Sequence, residues 1–207
     1  PLYQLLGGLY RDRVAVSHMV GIMPNDEAVE EARGAVADGI RALQIKGGEN
    51  PRRDVSLVRA LRRELGDAVL IRLDANQGYY PVKAAIDIVA ELKDAGANII
   101  EQPIAGHAEM AILARSTSLP IVADESAWDA REALELVGRD GADCLSIYLA
   151  KAGGLAGARR VAAIAETTGR PCDVNGSIES GIGNAANLHF AISAPPVEMP
   201  CVIPISA

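Results

Sequence analysis

Short apolar runs alternate with longer stretches of helical period along nearly the whole chain, and this alternation restricts the fold more than any other feature. Strands are expected near 14–21, 42–46, 69–76, 98–102, 120–125, 144–150 and 171–175, with a last one around 200–205. Helical segments such as 26–38, 52–65, 81–95, 127–139 and 155–168 lie between them. The segment 81–95 shows why: Pro81 opens it, Ile86, Ile88, Val89 and Leu92 give an apolar face, and Gly96 follows. Those are helix start, stripe and stop signals. Strands alternating with helices of this length imply βαβ units, a parallel sheet and right-handed connections.

An open doubly wound sheet concentrates its ligand residues at one switch point, whereas a barrel gathers them from the carboxyl ends of many strands. Here Lys46, Asp74, Glu101 and Asp124 each end a strand, at spacings of 28, 27 and 23 residues. Four consecutive units with an ionisable residue at the same end point to a barrel. No Gly-x-Gly-x-x-Gly follows an early strand, and no Pro/Gly/Ser-rich linker divides the chain. Residues 1–207 are therefore expected to form one barrel domain. They are few for a complete eight-unit barrel, which usually takes about 250 residues.

Composition narrows the function. A net charge of −7 and a pI near 5.0 argue against nucleic acid, which calls for a basic patch. No apolar run reaches the roughly 18 residues of a membrane span. Cys144, Cys172 and Cys201 are odd in number and far apart, which fits a reduced, cytoplasmic protein better than a disulfide framework. Aromatic residues make up only 3%, so the core must come from Ala, Val, Ile and Leu.

Residues two apart in a strand share a face, so Asp74 and Asn76 point the same way. A single strand-end acid is usually a cap or a surface ion pair. Three at one barrel mouth would repel and raise one another's pKa unless a cation sits between them. Oxygen-only ligands favour Mg²⁺, with Mn²⁺ as the other candidate, over zinc. His18, His107 and His189 form no zinc pattern.

These residues resemble the enolase superfamily, in its mandelate racemase and muconate lactonizing enzyme branch. Asp74-Ala75-Asn76-Gln77 looks like the third-strand metal motif, Glu101-Gln102-Pro103 like the fourth and Ala123-Asp124-Glu125-Ser126 like the fifth. Pro1-Leu2-Tyr3-Gln4-Leu5-Leu6-Gly7-Gly8 looks like the lead from the family's capping domain into its barrel. The resemblance implies a TIM-type (β/α)7β barrel whose amino-terminal capping domain is absent from this chain. It implies metal ligands Asp74, Glu101 and Asp124; strand parity turns Glu125 the other way and places it behind them rather than on the metal. It also implies Lys46 as the base that takes the α-proton of a carboxylic acid, giving a metal-stabilised enediolate.

The family's paired lysines at the end of strand two appear here as Gln44-Ile45-Lys46, so Gln44 replaces the first. A lysine expected five residues before Gly153-Gly154 is replaced by Tyr148, with Lys151 nearer the loop. Strand seven lacks the His that serves some members as a second base. Glu179 matches a Glu near the substrate carboxylate, while helix-start acid is the equally weighted alternative. Gln44, Asn76 and, more weakly, Asn175 are expected on the substrate side.

One clear base favours dehydration of a hydroxy acid or sugar acid, with Tyr148 as acid. A cycloisomerase comes next and a racemase or epimerase third. A non-catalytic barrel is the alternative of another class. The expected partners are a small carboxylic acid, a capping domain or partner chain acting as lid, and a further copy in a homo-oligomer, with no nucleic acid or membrane.

Overall fold

A computed structural model describes residues 1–176 and 179–203. Ser177 and Ile178, beside the expected site residue Glu179, and residues 204–207, with the end of the expected last strand, lie outside the described residues. Seven parallel strands pair strictly in chain order: β1 (His18–Val20), β2 (Ala42–Lys46), β3 (Leu70–Asp74), β4 (Ile99–Glu101), β5 (Ile121–Ala123), β6 (Cys144–Tyr148) and β7 (Cys172–Asn175). A short α1 (Leu2–Leu5) precedes them. The connecting helices are α2 (Asn25–Ala37), α3 (Pro51–Leu65), α4 (Val82–Ala95), α5 (His107–Ser116), α6 (Ala130–Gly138) and α7 (Leu155–Thr167), and α8 (Gly181–Ser193) follows β7.

Local chemistry sets the helix limits. Asn50 caps α3 by accepting from the Arg53 amide at 3.2 Å, and Pro51 fills the first helical position, where no amide is needed. Val55, Val58 and Leu61 then form the buried stripe. Asp129 caps α6 by accepting from the amides of Arg131 and Glu132 at 2.9 and 3.0 Å. Gly96 ends α4 in the left-handed conformation, with φ at 104°.

The expected last strand is reduced to a two-residue seam among the described residues. Cys201 pairs with Val16 and Val202 with Asn175, both in parallel. Ser17 donates to the Cys201 carbonyl at 2.8 Å, and Gly176 donates to that of Val202 at 2.9 Å. The seam lies between β7 and the lead into β1, which closes the (β/α)7β ring. Strand β5 stops at Ala123 rather than running to Glu125. The Asp124 carbonyl turns away to accept from the Ala127 amide at 3.1 Å.

Both faces of the strands are buried, as a parallel sheet under helices requires. Outward-facing Leu43, Ile45, Ile71 and Leu73 join the helix stripes in the main apolar core. Inside the ring, Ile99, Val122 and Cys144 form a separate small cluster, packed by Leu70 and Met199. On that inner side, nearer the carboxyl ends, the buried residues become polar: Gln44, Arg72, Glu101, Ser146, Asp173 and Asn175.

Candidate active site

Strand register builds the site. Lys46 lies opposite Asp74, and Asp74 opposite Glu101, so the lysine and the acids form one row at the carboxyl ends of β2, β3 and β4. Asp124 extends the row one residue past β5. The Lys46 ammonium donates to Asp74 Oδ2 at 2.5 Å and to Asn76 Oδ1 at 3.4 Å. At the other end Lys151 Nζ donates to Asp124 Oδ1 at 2.5 Å, to the Asp124 carbonyl at 2.6 Å and to the Ser146 carbonyl at 3.2 Å. The acidic row is thus flanked by two amines.

Glu101, in the middle, is fully buried and fully engaged. Its Oε2 accepts from Gln44 at 2.6 Å and from Arg72 Nε at 2.7 Å, and its Oε1 accepts from Asn175 at 3.2 Å. Gln44 also reaches Asp74 Oδ2 at 3.4 Å, so one amide ties two of the acids together. Arg72 turns its other edge to Asp173, with which it forms a buried ion pair. Gln44 and Asn175, expected to face substrate, are therefore buried supports of Glu101.

Electrostatics follow from burial. Desolvation and the Glu101 charge push the Asp74 carboxyl up to about 8, against the pull of Lys46. Burial would raise Glu101 too, yet Arg72 and Gln44 hold it below the ordinary carboxylate range. Burial opposes the charge on Lys46, and Asp74 beside it outweighs that and holds the ammonium.

Three residues just past the strands take left-handed backbone without being glycine: Asn76 (φ 42°), Gln77 (φ 68°) and Gln102 (φ 35°). Such strain concentrates where side chains must be aimed. Gln102 uses it to clamp the β5–α6 loop: its Oε1 accepts from the amides of Asp124 and Ser126 at 3.0 and 2.9 Å, and its Nε2 donates to Ser126 Oγ at 2.7 Å. A second clamp holds Lys46 and the loop after it. Arg53 donates to the Lys46 carbonyl at 2.9 Å, while Asp54 accepts from the Gly48 amide and the Tyr79 hydroxyl, each at 2.9 Å. Any Cβ on Gly78 would run into the backbone of Gly48, so these two loops pack glycine to glycine.

Several expectations change here. Lys151, not Tyr148, touches the acidic row; Tyr148 ends β6 beside it and lines a recess with Asp124, Glu125, Trp128, Ala150 and Lys151. Strand parity does not turn Glu125 away, because β5 has already ended, and Glu125 accepts from Asn76 Nδ2 at 3.0 Å. The Glu179 carboxylate lies close to Gly183, and Glu179 stands one residue ahead of Ser180, which caps α8. The supports Arg72, Asp173, Gln102, Arg53 and Asp54 were not expected. A period-two signal was available for the first two: Arg72 sits two before Asp74, and Asp173 two before Asn175.

Among the described residues, no three His, Cys, Asp or Glu side chains gather as they stand into a group that could hold a metal ion. Two of the expected ligands are instead drawn to the flanking lysines. The charge balance nevertheless suits a divalent ion. Lys46, Arg72 and Lys151 face the carboxylates of Asp74, Glu101, Asp124, Glu125 and Asp173, leaving an excess of two negative charges when all are ionised. Carboxylate oxygens are also the donors that a hard dication takes.

Residues 27–206 match the family model described as Enolase C-terminal domain-like, and the chain belongs to this family. It is 38% identical over 198 residues to L-Ala-D/L-Glu epimerase of Bacillus subtilis, covering 93% of this chain and 54% of that protein. It is 32% identical over 195 residues to N-succinyl-L-Arg/Lys racemase of Bacillus cereus, covering 93% and 53%. Muconate cycloisomerase 1 of Rhodococcus opacus is 34% identical over 204 residues, covering 96% and 54%. The structure of dipeptide epimerase from Cytophaga hutchinsonii complexed with Mg and the dipeptide D-Ala-L-Val superposes with a TM-score of 0.91 at 26% identity, covering 98% of this chain and 55% of that one. The chain spans about half the length of the curated relatives it matches. Those relatives are isomerases, which favours the second and third of the expected reactions over dehydration.

Proposed function

We propose that this barrel carries the catalytic groups of an isomerase that removes the proton next to the carboxylate of an acylated amino acid or dipeptide and returns one to the same carbon. The observation that carries this reading is the pair of amines, Lys46 and Lys151, set at the two ends of one acidic row. A single base suffices for elimination; inversion at one carbon uses two proton-bearing groups, and this site has two. Lys46, once released from Asp74, accepts the α-proton as a neutral amine. Lys151, whose Nζ donates to three oxygen acceptors, delivers a proton from its own side. In the reverse direction the roles exchange, and protons swap with solvent between turnovers. Asp74, Glu101 and Asp124 would hold a divalent ion, magnesium in the first instance and manganese as the alternative. When bound, that ion supplies positive charge to the substrate carboxylate as negative charge builds up on it. Gln44, Arg72 and Asn175 keep Glu101 ionised and aimed.

The test is exchange of α-protons with deuterated solvent, followed by proton NMR over a panel of dipeptides and N-acyl amino acids, using the protein at its natural length with magnesium. Lys46→Ala should cut exchange by about 10²–10⁴-fold while leaving the fold unchanged by circular dichroism. Turnover of a hydroxy acid to its dehydrated product, without exchange in any amino-acid derivative, would restore the dehydratase reading. No effect of Lys46→Ala on any activity found would favour a non-catalytic barrel.

A further inference from the structure

The recess beside Lys151 is lined by side chains that are scarce in this chain. Only 3% of the chain is aromatic, yet its single Trp and one of its five Tyr both line this one space of about 300 Å³ next to the acidic row. Trp128 is 52% exposed. Its exposure does not come from a loose loop. The preceding residues are clamped by Gln102, Ala127 is buried, and the Trp128 amide donates to Glu132 Oε2 at 2.9 Å. A large apolar ring held in the open on an anchored loop, beside proton-transfer groups, is preorganised for a ligand.

The charged groups in the recess are only partly paired, because Glu125 Oε2 is buried there without a hydrogen-bond partner among the described residues. Asp124 is paired with Lys151, and Glu125 accepts from Asn76. The Lys151 Nζ is turned onto Asp124 and Ser146, and its side chain is almost wholly buried. What remains for a ligand is the indole, the Tyr148 ring and the Ala150 methyl, with Glu125 Oε2 as a polar contact. The volume sits at the lower end of the roughly 300–1,000 Å³ typical of small-molecule sites, enough for one large side chain and short of a whole dipeptide.

We infer that this recess is the side-chain subsite of the substrate and selects an amino-acid derivative whose reacting residue carries a bulky apolar group such as Leu or Phe. The inference rests on the proposed proton transfer, because it places the reacting carbon beside Lys151. Trp128 and Tyr148 are then specificity residues, and the substrate's charged ends point toward the acidic row and away from the indole.

The uniqueness of Trp128 in the chain supplies a readout apart from activity. Its fluorescence, isolated as the difference between wild type and Trp128→Phe, is titrated with L-Ala-L-Ala, L-Ala-L-Leu and L-Ala-L-Phe in magnesium, alongside KM for α-proton exchange. L-Ala-L-Leu and L-Ala-L-Phe should alter the emission at concentrations about tenfold to a hundredfold below L-Ala-L-Ala, the gain expected from burying one large apolar side chain. KM should rank the same way, and Trp128→Ala should collapse the ratio between large and small dipeptides toward one. Emission that discriminates by size without exchange leaves the subsite standing and overturns the proton-transfer reading. Exchange with an unresponsive indole, or a size preference that survives Trp128→Ala, overturns the subsite and leaves the reaction intact.

Discussion

The apolar shell outside the strands and the polar filling inside the ring are both fully buried, but they are built on different physics. In the shell, Ile71, Leu73, Val89 and Leu92 pack sheet against helix, and each contributes in proportion to the area it removes from water. Inside the ring, Glu101, Arg72 and Asp173 are held in place by directed bonds between charges, with Ile99, Val122 and Cys144 as an apolar plug. A shell residue can shrink and its neighbours relax. A member of the inner chain cannot leave without stranding a charge.

Breaking the inner chain should therefore have the largest effect. Arg72→Leu keeps much of the volume but leaves Glu101 and Asp173 buried without a cation. Loss of one partner of a buried ion pair typically costs about 3–5 kcal/mol, so urea unfolding should show a drop of that size or outright loss of folding. A drop within the range of ordinary surface variants would mean the inner charges are not the framework described.

Acid–base behaviour sharpens the contrast next. The Asp74 carboxyl is raised in the fold from 3.8 to about 8, so between those values the folded state binds the extra proton. Its contribution to stability should then fall as pH rises through that window, with a slope of at most about 1.4 kcal/mol per pH unit. Denaturation measured in EDTA should show that decline, and Asp74→Asn should flatten it. Magnesium should flatten it too, by giving the ionised carboxylate a partner. An EDTA curve unchanged by Asp74→Asn would remove Asp74 from the strained row.

The smallest effect belongs to the shell. Ile71→Val, a single methylene removed between sheet and helices, should cost about 0.5–1.5 kcal/mol with no change in α-proton exchange. A change in exchange without a change in melting temperature would show that the two cores are coupled more tightly than their contacts suggest.

Much of the shell and the ends of the strands were legible in the sequence, because both obey short periods. Period 3.6 gave α3 and α4 nearly to the residue, and the repeated strand-end charge put Lys46, Asp74 and Glu101 in one row. The failures lie where regular backbone stops. Glu125 was misplaced because alternation ends with β5 at Ala123, and Lys151 was undervalued because it sits in the turns after β6, where parity has no meaning. Gln102 carries its clamp through a left-handed backbone that no periodicity encodes. Arg72 was missed for another reason: its apolar neighbours Ile71 and Leu73 face the helices, so one charged residue in an apolar run hid an inward-facing position.

The seam that closes the ring has a kinetic meaning. Strands β2 and β3 are joined over five paired positions, whereas residues 201 and 202 hold β7 to the lead into β1 through two bridges. Backbone amides at Ser17, Gly176, Cys201 and Val202 should exchange with solvent deuterium ahead of those in β2 and β3, since opening there breaks fewer bonds than parting β2 from β3. Asn175, which holds Glu101, is itself one of the bridged residues. Breathing of the barrel at its seam would therefore be felt at once by the middle carboxylate of the acidic row.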